Sequence, residues 1–172
     1  LLTIGIDKYP RLRGLGELQF AEADARGMGE VLDRLYGFDV IPLCGPAASK
    51  EAIKGTLKRL GGELGDGDVL VVFFAGHGIV IPTSDGNQAG YLIPADADLD
   101  TNDFRDSERW AAQALDMHQL SEDINRMGAR HVLFIADACC SGFMMNRGAL
   151  ARADLKTFLF QKSRAVLTAT TQ

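Results

Sequence analysis

Apolar positions recur along the chain in two different periods, and the switches between them mark out the elements. Leu1 to Asp7 (LLTIGID) is a short apolar run closed by a Tyr9-Pro10 turn, the pattern of a buried strand. From Leu18 to Leu35, the residues Leu18, Ala21, Ala25, Met28, Val31, Leu32 and Leu35 recur three and four apart, with Glu22, Asp24, Arg26, Glu30 and Asp33 between them. That spacing predicts an amphipathic helix, stopped by Gly37. Asp39 to Leu43 reads as a second strand. Ser49 is placed to cap a second helix with Ile53, Leu57 and Leu60 on its inner face, ending at Gly61-Gly62. After the Gly65-Asp66-Gly67-Asp68 turn, Val69 to Ala75 (VLVVFFA) is so unbrokenly apolar that both of its faces must be covered, as in a central strand of a parallel sheet.

Residues 78 to 90 carry Gly, Pro and Asp and read as a loop, Tyr91 to Pro94 as a short strand, and Asp96 to Trp110 as an acidic, irregular stretch. Asp116 followed by Gln119 suits a helix start, with Leu120, Ile124 and Met127 as the inner face. His131 to Ala136 (HVLFIA) is a second fully apolar strand, 143–163 reads as a loop or linker, and Ala165 to Ala169 as one more strand. Strands alternating with helices predict one α/β domain over 1–172, an open, mainly parallel sheet with helices on both faces.

Composition narrows the function. With 172 residues, 47% hydrophobic and 24% charged, the chain can bury a sizeable core. Eighteen Lys plus Arg against 23 Asp plus Glu leave a net charge of −5 with no basic block, which argues against direct binding of nucleic acid. The apolar runs are too short to span a bilayer and no signal peptide precedes Leu1, so the expectation is neither export nor membrane anchoring. Three cysteines, Cys44, Cys139 and Cys140, do not make the disulfide framework of a secreted domain, and a reducing, cytoplasmic setting is expected.

In open α/β sheets, functional residues collect at the carboxyl ends of strands. Two strands here end in reactive side chains, one in Ala75-Gly76-His77-Gly78 and the other in Asp137-Ala138-Cys139-Cys140-Ser141-Gly142. If these strands are neighbours, an imidazole and a thiol emerge at one edge, as a cysteine nucleophile requires. His77 would take the thiol proton or hold a thiolate. The N–H of Gly78 and that of the nucleophile would donate to the oxyanion that forms when sulfur attacks a carbonyl.

A buried strand followed by His-Gly, then a second ending in Asp-x-Cys-x-Ser-Gly, resembles the caspase-like cysteine proteases, most closely the metacaspase and bacterial caspase-homologue branch. His77 precedes Cys139 by 62 residues, against about 50 between histidine and cysteine in caspases; one longer loop accommodates the difference. Gly5-Ile6-Asp7 with Tyr9-Pro10, and Tyr91-Leu92-Ile93-Pro94 with Asp96, also look like the family. The resemblance implies a cysteine endopeptidase with His77 as base and Cys139 as nucleophile. Cys140 departs from the pattern, standing where metacaspases have histidine and caspases arginine, and it is a second candidate thiol.

The resemblance further implies an acidic primary pocket formed by Asp137 and Asp24, and cleavage after Arg or Lys. A buried carboxylate pair in such a pocket would be stabilised by an arriving guanidinium or ammonium. The linker would join the large catalytic part to a small one, largely absent from this chain, and Arg147, Arg152, Lys156, Lys162 and Arg164 are possible autoprocessing positions. Expected partners are a protein or peptide substrate with a basic residue before the scissile bond, the small-subunit portion of the same protein and a regulatory or sensor domain.

Asp96, Asp98, Asp100 and Asp103 look like the start of an EF-hand, but Thr101 stands where glycine is needed and Ser107 where glutamate is needed. The run then reads as a solvated acidic loop; no cofactor is required, and calcium activation is carried only by the resemblance. Zinc at His77, Cys139 and Cys140 lacks a second ligand pair of suitable spacing. His118 and His131 read as structural or surface residues and Cys44 as core. The rival functions are an inactive caspase-like regulatory or assembly module and a redox or metal domain built on the vicinal thiols.

Overall fold

The computed structural model describes residues 1–82, 87–104, 106–138 and 163–169. In chain order the elements are β1 (Leu2–Gly5), α1 (Ala21–Tyr36), β2 (Ile41–Cys44), α2 (Lys50–Glu63), β3 (Val69–Ala75), β4 (Gly78–Pro82), β5 (Gln88–Leu92), α3 (Ser107–Gln113), β6 (Leu115–Asp116), α4 (Met117–Asn125), β7 (His131–Asp137) and β8 (Ser163–Ala169). Among the described residues, five strands form a sheet in the order β2-β1-β3-β7-β8, every neighbouring pair parallel. β4, β5 and β6 form a small antiparallel sheet beside it.

Alternation along the central strands sorts side chains to two faces. Leu2 and Ile4 of β1, Leu70, Val72 and Phe74 of β3, and Val132, Phe134 and Ala136 of β7 enter the main core with Ile53, Leu57 and Leu60 of α2 and Leu120 and Ile124 of α4. Phe73 and Ala75 face the other way, onto Ala21 and Ala25 of α1. Helices therefore cover both faces of a parallel sheet, as the two unbroken apolar strands required.

Gly5 sets how closely α1 approaches. A Cβ there would lie 2.5 Å from the Ala21 carbonyl oxygen and 2.7 Å from the Ala25 Cβ, so the first turn of α1 rests directly on the carboxyl end of β1. Asp7 reinforces the docking, its Oδ1 accepting from the Glu22 N–H at 3.3 Å while Phe20 supplies no side-chain cap. Ser49 caps α2 through the Ala52 N–H, and Asp116 caps α4 through the N–H groups of His118 and Gln119, both as predicted.

Three stretches differ from expectation. The stretch 78–90 is largely a hairpin: Ile79, Val80 and Ile81 pair with Tyr91, Gly90 and Ala89. Within the irregular acidic stretch, Asp106 caps a short helix, α3, which buries Trp110. α2 continues through Gly61-Gly62 to Glu63.

Candidate functional site

β3 and β7 are neighbours, which is the condition the two reactive strand ends had to meet. Ala75 pairs with Asp137, and the Gly76 N–H donates to the Asp137 carbonyl at 3.2 Å, so the strands end level. His77 follows Ala75 by two residues, as Cys139 follows Asp137 by two in sequence. Cys139 and Cys140 themselves lie outside the described residues.

His77 is held at both backbone polar groups, at one ring nitrogen and at one ring face. Its N–H donates to the Tyr9 hydroxyl at 2.8 Å, its carbonyl accepts from the Ile93 N–H at 3.0 Å, and the Tyr9 ring lies tilted against the imidazole at 4.9 Å between centroids. The residue is 8% exposed. Nε2 stands 2.6 Å from the Gly16 carbonyl oxygen. A carbonyl oxygen only accepts, so Nε2 carries the proton, and Nδ1 is left as the proton acceptor of the neutral ring. Burial raises the Tyr9 phenol above its ordinary range, the His77 N–H opposing and the Asp7 charge adding to the effect. Tyr9 thus stays a neutral acceptor beside the histidine.

Asp137 shares its row with Ala75 and Gly5 across three strands, and this row meets α1 at Ala21 and Ala25. Asp24 sits in the first turn of α1, its N–H donating to the Phe20 carbonyl at 2.8 Å. Asp137 lies on the α1 side of the sheet at its carboxyl edge, Asp24 lies in α1 itself, and both are exposed where burial was expected. Gly78 is buried at the start of β4, opposite Leu92.

The acidic run is a loop anchored to the fold, its aspartates still partly exposed. Ala95, Ala97 and Leu99 are buried between the aspartates, and the aspartates are committed to protein partners. Asp96 accepts from the Lys50 N–H at 2.8 Å, at the start of α2. Asp98 pairs with Arg13 at 3.4 Å and Arg109 at 3.5 Å, and Asp100 accepts from the Asn102 N–H.

Arg147, Arg152, Lys156 and Lys162 lie outside the described residues. Arg164 stands in β8 beside Val132, and its guanidinium donates to the carbonyls of Ile124, Met127, Ala129 and Arg130. Arg164 is thus paired within a strand and held by four carbonyls, unlike a position in an open linker. Cys44 is half-buried at the end of β2, packed against the smaller core cluster under α1; burial raises its thiol, and Arg26 opposes the shift. His118 is exposed and 3.9 Å from Glu122, and His131 begins β7 at the opposite end of the sheet from His77. A groove of about 1010 Å³ between α2 and α4 is lined by none of His77, Asp24 and Asp137.

Sequence reasoning did not assign Tyr9, Ile93 or Gly16 as partners of His77. An aromatic residue opening a polar turn was a weak signal for Tyr9. Gly16 acts through a backbone atom and had no signal at all.

The family model for the caspase domain matches residues 1–169, nearly the whole chain. The chain belongs to the caspase domain family. This is a family of cysteine peptidases, and the His-Gly and Asp-x-Cys strand ends stand within the matched region. No curated protein matches the chain. Among solved structures, the caspase domain is similar to protein GSU0716 from Geobacter sulfurreducens, with 23% identity and a TM-score of 0.64 over 80% of this chain and 49% of that one. That likeness is one of fold, and the chain spans about half the length of that protein. No described helix is long and apolar enough to cross a membrane.

Proposed function

We propose that this caspase domain is the large catalytic part of a cysteine endopeptidase that cuts proteins after Arg or Lys. The observation that carries the reading is the buried His77, its Nε2–H committed to the Gly16 carbonyl and its Nδ1 left to act as base. Nδ1 takes the thiol proton of Cys139, and the thiolate attacks the substrate carbonyl carbon. The N–H groups of Gly78 and Cys139 receive the oxyanion. As the tetrahedral intermediate collapses to a thioester, the imidazolium returns its proton to the leaving amine, and water then releases the acyl group with His77 again as base. The Gly16 carbonyl stabilises each imidazolium through the Nε2–H it already holds.

Asp24 and Asp137 supply the selectivity. Two exposed carboxylates on the α1 side of the sheet pair readily with a guanidinium or ammonium and repel a substrate aspartate. The small-subunit portion and a regulatory or sensor domain are the remaining partners of this reading, and Arg147, Arg152, Lys156 and Lys162 of the linker are its processing positions. No cofactor is needed for the steps described.

The test is labelling of the full-length protein with an electrophilic peptide ketone ending in Arg, read by mass mapping. The reading requires an adduct on Cys139 that is lost in His77→Ala and not formed by the Asp-terminated reagent. An adduct on Cys140, or none on either cysteine, overturns it.

A further inference from the structure

The carbonyl that orients His77 belongs to a long loop between β1 and α1, with no helix or strand of its own to fix Gly16. The loop is tied near its ends by the Leu12 N–H to the Tyr9 carbonyl at 3.1 Å and by the Leu18 N–H to the Asp7 carbonyl at 2.8 Å. Its middle is tied across the molecule to the acidic segment. The Arg13 N–H donates to the Leu99 carbonyl at 2.9 Å, and the Arg13 carbonyl accepts from both the N–H and the hydroxyl of Thr101, each at 2.9 Å. Thr101 is 6% exposed, so its hydroxyl works away from competing water. The Arg13 side chain also meets Asp98 and Asp100, but these pairs are solvent-exposed and hold weakly.

Gly14 shows how closely the two segments are matched. It has φ +92°, and a Cβ there would stand 2.3 Å from the Thr101 hydroxyl oxygen and 2.7 Å from Asn102 Nδ2. Arg13 is three residues before Gly16, a stretch that reaches at most about 10 Å when extended. Fixing the Arg13 carbonyl therefore restricts where the Gly16 carbonyl can lie.

We infer that Thr101 is a positioning residue for His77: its hydroxyl, by holding the Arg13 carbonyl, keeps the Gly16 carbonyl on Nε2 and so keeps Nδ1 as the base. The inference rests on the peptidase reading for its kinetic consequence, while its structural consequence is independent of activity. Without the hydroxyl the Arg13 carbonyl keeps only the Thr101 N–H, the loop is held less tightly, Nε2–H loses its acceptor part of the time, and the imidazole samples both tautomers.

The test compares Thr101→Val, Thr101→Ser and Gly14→Ala with the wild type, all as full-length protein. Peptide cleavage is measured alongside ¹⁵N NMR of the His77 ring. Thr101→Val, nearly isosteric, is expected to lower kcat about tenfold, the scale of one hydrogen bond, with KM unchanged. Its His77 signals should shift from a single Nε2–H form toward a tautomer average. Thr101→Ser restores both, and Gly14→Ala reproduces the loss from the other side of the contact should Thr101→Val fail to fold. A folded Thr101→Val with wild-type His77 signals overturns the inference, whether or not its kcat falls. If the wild type cleaves nothing, the peptidase reading fails, and the ring signals still decide the role of Thr101.

Discussion

The Nε2 of His77 and the carbonyl oxygen of Gly16 stand 2.6 Å apart although 61 residues separate them in the chain. The contact chooses a tautomer before any substrate arrives, leaving Nδ1 with the lone pair that a base needs. His77→Asn tests whether this lone pair matters, because an amide nitrogen can fill one ring position and cannot take a proton. The variant should fold normally and lose about 10²- to 10⁴-fold in kcat/KM, the contribution of general base catalysis. Wild-type turnover by His77→Asn would remove the histidine from the mechanism.

Asp137 is expected to govern what is cut and not how fast the thiol reacts. Asp137→Asn removes a charge from the α1-side row while keeping the size of the side chain. A charge-assisted hydrogen bond contributes about 1.5–3 kcal/mol, so kcat/KM for Arg and Lys peptides should fall about 10- to 100-fold. Alkylation of Cys139 by a small uncharged reagent should be unaffected. Equal loss in both assays would place Asp137 in the chemistry instead.

Tyr9→Phe leaves the buried His77 N–H without its acceptor, which should lower stability by about 1–3 kcal/mol in denaturant unfolding. The same variant changes the alkaline behaviour. In the folded chain the phenol is held protonated above its ordinary value of about 10, so its share of stability is complete below that pH and is lost as pH rises beyond it, where the unfolded chain ionises. Tyr9→Phe should therefore lose stability less steeply above about pH 10. Burial also raises Tyr91, which leaves a residual slope in the variant. Parallel curves for the two proteins would contradict the assignment.

Arg164 is expected to be structural. Four carbonyls around the end of α4 and the start of β7 point at its guanidinium. Arg164→Ala leaves several of them unpaired and should cost about 2–4 kcal/mol, on the scale of hydrogen bonds to a charged group. Arg164→Lys should recover only part of this, since an ammonium lacks the planar fork. Self-cleavage, where it is seen, should not occur after Arg164; a fragment ending at that residue would refute this view of β8.

The central strands were legible because a residue run with both faces apolar has few other ways to satisfy its surroundings. β3 was predicted at Val69 to Ala75, its full length in the structure. The hairpin of β4 and β5 was not, because Gly78, Pro82 and the polar residues after it outweighed the Ile79-Val80-Ile81 run between them. The acidic run misled for a related reason. Its aspartates drew attention to solvent, while Ala95, Ala97 and Leu99 were quietly alternating inward as an extended segment must. At the site, His77 and Asp137 announced themselves by lying at strand ends. Tyr9, Gly16 and Thr101 contribute a hydroxyl or a carbonyl at long sequence separation, and neither periodicity nor motif spacing registers such contacts.

The most direct test of the account is the rate at which the full-length protein cleaves matched peptides ending in Arg, Lys or Asp before the scissile bond, for wild type, Cys139→Ala and Cys140→Ala. The account predicts cleavage after Arg and Lys and not after Asp, abolished by Cys139→Ala and retained by Cys140→Ala. Preferential cleavage after Asp, or activity that survives Cys139→Ala and is lost in Cys140→Ala, would contradict it.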